Sequence, residues 1–357
     1  MKKFVHGGNI YEEKPAGGDW LDFSANVNPL GLSPAVRDAI ASGIDEVVHY
    51  PDPEARELKQ AIAQHYNLPV EQIVLGNGAA ELFYLFFQTI RPHRVLLPIP
   101  SFSEYERAAL AAHCKVNYFE LENEQDFRLD WDSLMGALPV ADCVVLGNPN
   151  NPTGSLITRN ELVHLLEELK DGAQWLVVDE SFLDFLLYGT RYTVRDLTVE
   201  YPHLFVVQSL TKFYALPGLR LGFGIAAPEV VTQLEAGKDV WNVNILAQRA
   251  GVAALSDLDY QQASRQELIE SAQQLYAGLT QLAGLRPLQP SVNFILIDVR
   301  ETGCTSTELT ARLRERGILV RDCANYPGLD GKSFVRVAVR RPAENEQLLK
   351  ALEAVIK

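Results

Sequence analysis

Cysteine is scarce in this chain, and the cysteines that are present lie far apart. The 357 residues include only four, at positions 114, 143, 304 and 323, with no Cys-x-x-Cys pair and no histidine at metal-ligand spacing. This is the pattern neither of a disulfide framework nor of a cysteine-based metal centre. We therefore expect a reduced, cytoplasmic protein without a metal site.

Long apolar runs and an excess of positive charge are also missing. No stretch approaches the roughly 18 consecutive apolar residues of a membrane span, and the apolar start of the chain ends at His6. Lys and Arg total 32 against 46 Asp and Glu, which gives a net charge of −14. A field of this sign repels nucleic-acid phosphates and anionic membranes. We expect neither partner, although local basic pockets are compatible with this charge.

Short apolar runs alternate along the chain with segments of helical periodicity. The runs are RVLLP (94–98), DCVVLGNP (142–149), WLVVDE (175–180) and LFVVQS (204–209). This alternation is typical of an α/β fold in which helices cover both faces of a parallel sheet. Thr158 and Glu161 form a capping-box pattern at the start of one helix. Asp52 and the proline after it predict a cap and a first-turn proline for another helix.

The composition and the apolar patterning of the sequence change twice along the chain, which predicts that the protein is divided into three parts. Residues 1–45 are rich in Gly, Asn and Pro, contain little regular patterning and are expected to wrap over another surface. Residues 46–270 form the expected large domain. From 271 to 357 the chain contains short apolar runs, a helix capped by Thr305 and a final amphipathic helix. This last part indicates a smaller α/β domain.

Lys212 lies between two apolar runs that predict strands, LFVVQS and LGFGIAA, with Ser209 three residues before it and Arg220 eight after it. A lysine in a dry pocket has a lowered pKa, so part of its population is a neutral amine that can form a Schiff base with an aldehyde. This makes Lys212 a candidate for holding pyridoxal phosphate. Taken alone, it is better explained as a lysine whose stem packs while its ammonium group meets water, but it is accompanied by other motifs.

Three further motifs lie at the ends of predicted strands. Asp179, at the end of WLVVDE, provides the anion that a pyridoxal ring needs near its pyridine nitrogen. The turn GNGAAE (76–81) leads into a helix, where free N–H groups can cradle a phosphate. The run NPNNPTG (148–154) forms a similar loop. Each alone is also an ordinary helix cap or turn, but ligands collect at the carboxyl ends of strands in such sheets.

Together these motifs resemble the fold-type I pyridoxal-phosphate enzymes, in the class I/II branch of the aspartate aminotransferase superfamily, over essentially the whole chain. The resemblance implies a pyridoxal-phosphate-dependent transferase-like fold, with the cofactor bound by the large domain. It also implies a homodimer whose active site is shared between subunits, with pyridoxal 5'-phosphate as cofactor. The cofactor-binding residues that it implies are Gly78, Ala79, Phe102, Asn151, Asp179, Ser209, Lys212, Arg220 and, from the neighbouring subunit, Tyr50.

The resemblance also assigns roles to these residues. Lys212 carries the internal Schiff base and shuttles protons, Asp179 pairs with the pyridine nitrogen and Asn151 binds the ring hydroxyl. Phe102 stacks on the ring, although a phenylalanine there is equally explained by core packing. Arg336, in SFVRVAV, binds the substrate α-carboxylate.

Cofactor motifs do not separate transamination from decarboxylation, because both begin with the same chemistry on the cofactor. The segments HGGN (6–9), DFSANVNPLG (22–31) and CANYPGLD (323–330) resemble the family's L-threonine-O-3-phosphate decarboxylases of cobalamin biosynthesis. Phe182 stands where aminotransferase relatives usually carry tyrosine, although core packing also explains it. We expect decarboxylation to (R)-1-amino-2-propanol O-2-phosphate and CO₂. The alternative is an aminotransferase of histidinol phosphate or a related amino acid that uses 2-oxoglutarate.

A phosphorylated amino acid requires a second anion site, which charge-assisted hydrogen bonds from Arg321 and the HGGN backbone can supply. The substrate-binding residues implied in this way are His6, Gly7, Gly8, Asn9, Asn28, Asn151, Arg321 and Arg336, with Lys332 as a weaker candidate. Arg321 is otherwise a surface charge and His6 part of an unordered terminus. A ligand-sensing regulator built on an inactive aminotransferase domain is disfavoured, because residues 1–45 contain no helix-turn-helix pattern.

Overall fold

The computed structural model of the chain describes residues 6–11, 18–329, 331 and 333–356. The strands are β1 (Leu21–Asp22), β2 (Ile73–Gly76), β3 (Arg94–Ile99), β4 (Lys115–Glu120), β5 (Cys143–Gly147), β6 (Trp175–Asp179), β7 (Leu204–Ser209), β8 (Gly222–Ile225), β9 (Arg286–Pro287), β10 (Phe294–Asp298), β11 (Ile318–Leu319), β12 (Arg321–Asp322) and β13 (Phe334–Ala338). The α-helices are α1 (Pro34–Ser42), α2 (Arg56–Tyr66), α3 (Ala79–Ile90), α4 (Ser103–Ala111), α5 (Trp131–Ala137), α6 (Arg159–Lys170), α7 (Pro228–Gly237), α8 (Ile245–Ser256), α9 (Leu258–Thr280), α10 (Ser306–Glu315) and α11 (Pro342–Val355). None of the helices in these described ranges is long and apolar enough to cross a membrane.

A seven-stranded sheet with the order β2-β8-β7-β6-β5-β3-β4 organises the larger part of the molecule. All its strands are parallel except β8, which runs antiparallel to β2 and β7. The four apolar runs of the sequence form β3, β5, β6 and β7, as predicted. The direction of β8 was not predictable, because a strand buried on both faces is a continuous apolar run in either direction.

Helices cover both faces of this sheet, which confirms the layered architecture expected from the sequence. Along β7, Leu204 and Val206 belong to one buried cluster, whereas Phe205 and Val207 belong to another. The first cluster includes apolar residues of α2, α6 and α8, and the second those of α3, α4 and α7. Since side chains alternate across a strand, the sheet is buried on both sides.

The starts of the helices show which predicted N-caps are formed and which are not. The capping boxes predicted at α6 and found at α10 are both formed, with Thr158 and Thr305 as N-caps. The cap predicted at Asp52 is wrong, because α2 begins only at Arg56. The Asp52 carboxylate instead accepts backbone N–H groups of Glu54 (3.2 Å) and Arg56 (3.0 Å) within a turn. The turn delays the helix by three residues.

The C-terminal part is a second α/β layer to which the N-terminal segment is attached. Its antiparallel sheet has the order β12-β13-β10-β9, and α9, α10 and α11 contribute to the core beside it. Strand β1 pairs in parallel with β11, and Phe23 O accepts from Ala338 N at 2.8 Å. The expectation of little regular structure before residue 45 is wrong for α1, which Ser33 caps. The expected boundary at residue 270 lies inside α9, and the three-part division remains a prediction.

Candidate active site

The turn between β2 and α3 forms a cradle suited to a phosphate. Gly78 precedes α3 with φ of 83°, and no side chain caps the free N–H groups of the first turn. At this φ a residue with a side chain is strained, and a Cβ atom on Gly78 would lie 2.2 Å from Nη2 of Arg220, so glycine is favoured here. Across the cradle, the hydroxyls of Ser209 and Thr211 lie 2.7 Å apart. A helix N-terminus, two hydroxyls and a guanidinium together suit a dianion.

Lys212 lies in the loop that joins β7 to β8, as the sequence predicted. Its carbonyl oxygen accepts the backbone N–H of Asn28 at 3.0 Å, which holds the loop against the N-terminal segment. Burial, with the positive charges of Arg336 and Arg220, lowers the pKa of Lys212 to about 8. A considerable fraction of this amine is therefore neutral near physiological pH, as nucleophilic attack on an aldehyde requires.

Asp179 ends strand β6 and is buried beneath the same cavity. The Tyr105 hydroxyl donates to its Oδ2 at 2.6 Å, and the backbone N–H of Ser181 donates to its Oδ1 at 2.9 Å. Burial raises the pKa of Asp179 although these hydrogen bonds oppose the shift. A protonated ring nitrogen beside the carboxylate would offset that burial cost. Tyr105 carries no sequence signal that separates it from an ordinary buried aromatic residue.

Arg336, on β13, is held by groups from two distant segments. Its Nη1 donates to Oδ1 of Asn151 in the NPNNPTG loop, and its Nη2 donates to Ser24 O at 2.9 Å. Its guanidinium lies over the ring of Phe294, 5.6 Å from the centroid. Its Nε is buried and has no hydrogen-bond partner among the described residues. The Arg336 side chain is thus held in one position, and its Nε–H donor is not used by any described residue.

Arg321, on β12, lies directly opposite Arg336 in the register of the small sheet. Its Nη2 donates to Oδ1 of Asn325 at 2.7 Å, and its guanidinium stacks over Tyr326 at 4.9 Å. Both arginines are buried and both line the cavity. Two adjacent guanidinium groups strongly favour an anionic ligand. The surface-charge alternative for Arg321 is therefore wrong.

The N-terminal HGGN segment lies over this cavity. His6 and Gly7 line it, and a Cβ atom on Gly7 would be 2.0 Å from Ser24 O, so a side chain cannot be accommodated. The N–H of Gly8 donates to Ser24 Oγ at 2.7 Å. The expectation that the Gly8 N–H binds substrate is therefore corrected, because that donor holds the arm to the protein.

These residues enclose a cavity of about 190 Å³. Its lining is His6, Gly7, Ser24, Ala25, Asn26, Ala79, Ala80, Phe102, Asn151, Asp179, Ser181, Phe182, Ser209, Thr211, Lys212, Arg220, Arg321, Tyr326 and Arg336. Four of these residues carry Lys or Arg charges, whereas only one is a carboxylate, in a protein of net charge −14. A larger cavity of about 430 Å³ lies nearby around Trp131 and Leu288. The catalytic candidates Lys212 and Asp179 line only the smaller one.

Some predicted residues lie outside the cavity. Asn28 is buried elsewhere, where its amide donates to Phe213 O and Ser264 Oγ, both at 2.7 Å. Its predicted contact with substrate is corrected, because the side chain supports the Lys212 loop. Asn9 does not line the cavity, and Tyr50 is 76% exposed, stacked on Trp241. Lys332, like the last residue of CANYPGLD, lies outside the described residues.

The sequence did not identify several lining residues, among them Ser24, Asn26 and Tyr326. Ser24 and Asn26 lie within DFSANVNPLG, a motif of which only Asn28 was predicted to contact substrate. Tyr326 lies within CANYPGLD in the same way. A motif match locates the segment, but the contribution of each side chain depends on backbone direction, which the motif does not specify.

A lysine between central strands, a buried aspartate and a phosphate cradle at the carboxyl ends of those strands define a fold-type I pyridoxal-phosphate transferase fold. Residues 18–352 match the sequence profile of the family aminotransferase class I and II, and the chain belongs to this family. The expected fold class and the expected dependence on pyridoxal phosphate are thereby confirmed.

Individual relatives are similar over nearly the whole chain. The threonine-phosphate decarboxylase of Salmonella typhimurium is 37% identical over 358 residues, which cover 99% of this chain and 96% of that protein. The crystal structure of histidinol-phosphate aminotransferase from Clostridium acetobutylicum has a TM-score of 0.86 at 30% identity, covering 93% of this chain and 98% of that one. The structure of L-threonine-O-3-phosphate decarboxylase from Porphyromonas gingivalis has a TM-score of 0.81 at 28% identity, with the same two coverages.

Proposed function

We propose that this protein decarboxylates L-threonine O-3-phosphate to (R)-1-amino-2-propanol O-2-phosphate and CO₂, with pyridoxal phosphate as cofactor, in cobalamin biosynthesis. The observation that carries the proposal is the pair of buried arginines, Arg321 and Arg336, opposite each other on β12 and β13. Together with the separate phosphate cradle at α3, they provide positive charge for two further anionic groups. A phosphorylated amino acid carries both of these, a carboxylate and a phosphate. The similarity to the Salmonella typhimurium enzyme supports the same substrate.

The residues around the cavity fit the cofactor. Arg220, Ser209 and the N–H groups at the start of α3 hold its phosphate, and Asp179 pairs with its ring nitrogen. The fit rests on Gly78, where a side chain would displace Arg220. When bound, pyridoxal phosphate supplies an electron sink that stabilises negative charge at the substrate Cα.

Lys212 moves the proton in this proposal. Its lowered pKa, about 8, allows Nζ to alternate between the amine and the ammonium form near physiological pH. After CO₂ leaves, the ammonium form returns a proton to the substrate Cα. Arg336 binds the departing carboxylate and orients it, since Asn151 and Ser24 O fix its guanidinium.

Arg321 binds the substrate phosphate with help from His6. Both side chains line the cavity, one from the small sheet and one from the N-terminal segment. A dianionic phosphate between a buried guanidinium and an imidazole receives charge-assisted hydrogen bonds from both sides.

The second candidate is an aminotransferase that acts on histidinol phosphate. The similarity to the Clostridium acetobutylicum enzyme favours it, because its TM-score of 0.86 slightly exceeds the 0.81 of the decarboxylase structure. Phe182 argues the other way. It lines the cavity and packs edge-on against Phe294, with ring centroids 5.1 Å apart, so it offers no hydroxyl to the cofactor.

The deciding experiment is product analysis with the pyridoxal-phosphate-loaded protein and L-threonine O-3-phosphate, without any keto acid. Release of CO₂ together with 1-amino-2-propanol phosphate supports the decarboxylase. No CO₂, together with conversion of histidinol phosphate only when 2-oxoglutarate is added, would establish the aminotransferase instead.

We further propose a homodimer with shared active sites, in the cytoplasm. Trp241 stacks on Tyr50, and Ile44, Val47 and Val48, shortly before Tyr50 in the chain, are exposed apolar residues as well. Monomeric surfaces seldom leave such a group uncovered. The four cysteines are free, which is consistent with a reducing compartment. We retain the division into an arm (1–45), a large domain (46–270) and a small domain (271–357) as part of this proposal.

A further inference from the structure

Glu104 connects the N-terminal arm to the core beside the active site. It lies in the first turn of α4, and its side chain is only 8% exposed. Its Oε1 lies 2.8 Å from Nε2 of His6 and 3.5 Å from Nη1 of Arg107. The Tyr84 hydroxyl, on α3, donates to its Oε2 at 3.3 Å. One buried carboxylate thus joins the arm, α3 and α4.

The carboxylate fixes the orientation of the His6 ring. Burial raises the pKa of Glu104, but the hydrogen bond and charge of His6, with Arg107 and Tyr84, outweigh burial and leave that pKa below its ordinary value. An ionised carboxylate only accepts, so the proton of this hydrogen bond is on Nε2 of His6. Among the described residues, no hydrogen bond to the other ring nitrogen, Nδ1, is found. Nδ1 can donate to an anion only when the ring also carries a proton there.

The same contact holds the arm over the cavity. His6 lies against Phe102, with ring centroids 5.9 Å apart, and Phe102 lies two residues before Glu104 in the chain. On the other side, Gly8 N donates to Ser24 Oγ. Both contacts therefore hold the described part of the arm, and the Glu104 contact is the one made by His6, which lines the cavity.

We propose that Glu104 is a positioning residue that holds His6 against the cavity so that its ring donates to the phosphate of the substrate. This inference rests on the proposed function for the identity of that substrate. Nothing in the sequence motifs indicated Glu104, because its partner is 98 positions away in the chain.

The test compares wild type with E104Q as pyridoxal-phosphate-loaded enzymes. Glutamine keeps the shape but removes the charge that orients His6. We expect KM and the calorimetric Kd for L-threonine O-3-phosphate to rise about tenfold, the loss expected from weakening one charge-assisted hydrogen bond. We expect kcat and the Kd for L-threonine, which lacks the phosphate, to stay within about twofold. In an H6A background E104Q should have no further effect.

E106Q is the matched control, because Glu106 is buried on the same helix and accepts from the Tyr118 hydroxyl. We expect it to leave both Kd values unchanged. An E104Q protein that binds L-threonine O-3-phosphate as tightly as wild type overturns the inference, and so does an equal loss for both ligands, which indicates a merely structural role.

The proposed function is tested separately by CO₂ release from the wild type. If no CO₂ appears, the same binding comparison is made with histidinol phosphate, and a loss specific to E104Q still supports the role of Glu104. A wild type that binds neither phosphate ester overturns both proposals.

Discussion

At the scale of single residues, the active-site lysine depends on neighbours that are remote in sequence. Arg220 lies eight residues from Lys212, but Arg336 comes from the C-terminal sheet. The flanking apolar runs therefore predicted a dry environment but not the second positive charge. Both effects favour the neutral amine, so they act in the same direction on its reactivity.

Lys212 of the cofactor-free protein should be acylated with a pH midpoint near 8, the value to which burial and the two arginines lower its pKa from 10.5. Below the midpoint the amine is protonated and unreactive, and above it the rate levels off. Because R336Q removes one positive charge, it should raise the midpoint. Competitive labelling with acetic anhydride and mass spectrometry measures this, with exposed Lys115 as internal standard. A wild-type midpoint near 10.5 contradicts the prediction.

The hydrogen bond from Tyr105 to Asp179 leads to a second prediction. Burial already raises the pKa of Asp179, and Y105F removes a hydrogen bond that opposes this shift. The carboxylate should then pair less well with the cofactor ring, and the Kd for pyridoxal phosphate should rise about three- to tenfold, as expected for one hydrogen bond to a charged group. Fluorescence titration measures the change. Y118F, which removes a hydroxyl bonded to Glu106 outside the cavity, should bind the cofactor like wild type.

At the scale of elements, the sequence predicted structure where the cause is local. The capping box at Thr158 and the buried strand before Asp179 depend on neighbouring residues, and both are found. The cap at Asp52 failed because a competing turn uses the same carboxylate. Strand β1 was missed because its partner, β11, is almost 300 residues away. Long-range pairing leaves no periodic signal in a two-residue strand.

The same distinction applies to the candidate site. Lys212 and Asp179 were predicted because each follows a strand that the sequence indicates, whereas Arg336 was predicted from the family resemblance. Tyr105 and Glu104 lie on one short helix, and only the packed structure brings them to Asp179 and His6. A sequence therefore identifies the residues that contact a ligand more readily than the residues that hold those side chains in position.

The turn before α3 provides a prediction at this scale. G78A should weaken pyridoxal-phosphate binding by tenfold or more, because the new methyl group meets the guanidinium of Arg220 and the backbone is at φ 83°. G218A is the matched control, since nothing lies within 4 Å of a Cβ atom there. Equilibrium dialysis of both variants gives the comparison. Equal cofactor affinity in G78A and wild type contradicts the role of this turn.

At the scale of the whole molecule, the cavity is assembled from three parts of the chain. The large sheet supplies Lys212 and Asp179, the small sheet supplies Arg321 and Arg336, and the arm supplies His6. Pairing of β1 with β11 ties the N-terminal segment to the small sheet. A basic cavity in an acidic protein concentrates positive potential at one place, which favours small anionic substrates over large anionic surfaces.

Tyr50 offers a test of the proposed dimer, because it is exposed and outside the cavity of its own chain. If Tyr50 completes the site of the neighbouring subunit, K212A and Y50A should each lose most activity at limiting cofactor. After subunit exchange in an equal mixture, half of the dimers are mixed, and each has one intact site. About a quarter of the wild-type activity should then return.

Mixing Y50A with the double variant K212A/Y50A is the control, because no arrangement of these chains contains an intact site. Steady-state assays before and after exchange, with light scattering to verify the dimer, measure the recovery. Full activity of Y50A alone, or no recovery in the exchanged mixture of K212A and Y50A, would show that each chain completes its own site. In that case the exposed apolar group around Tyr50 requires a different explanation from the shared active site proposed above.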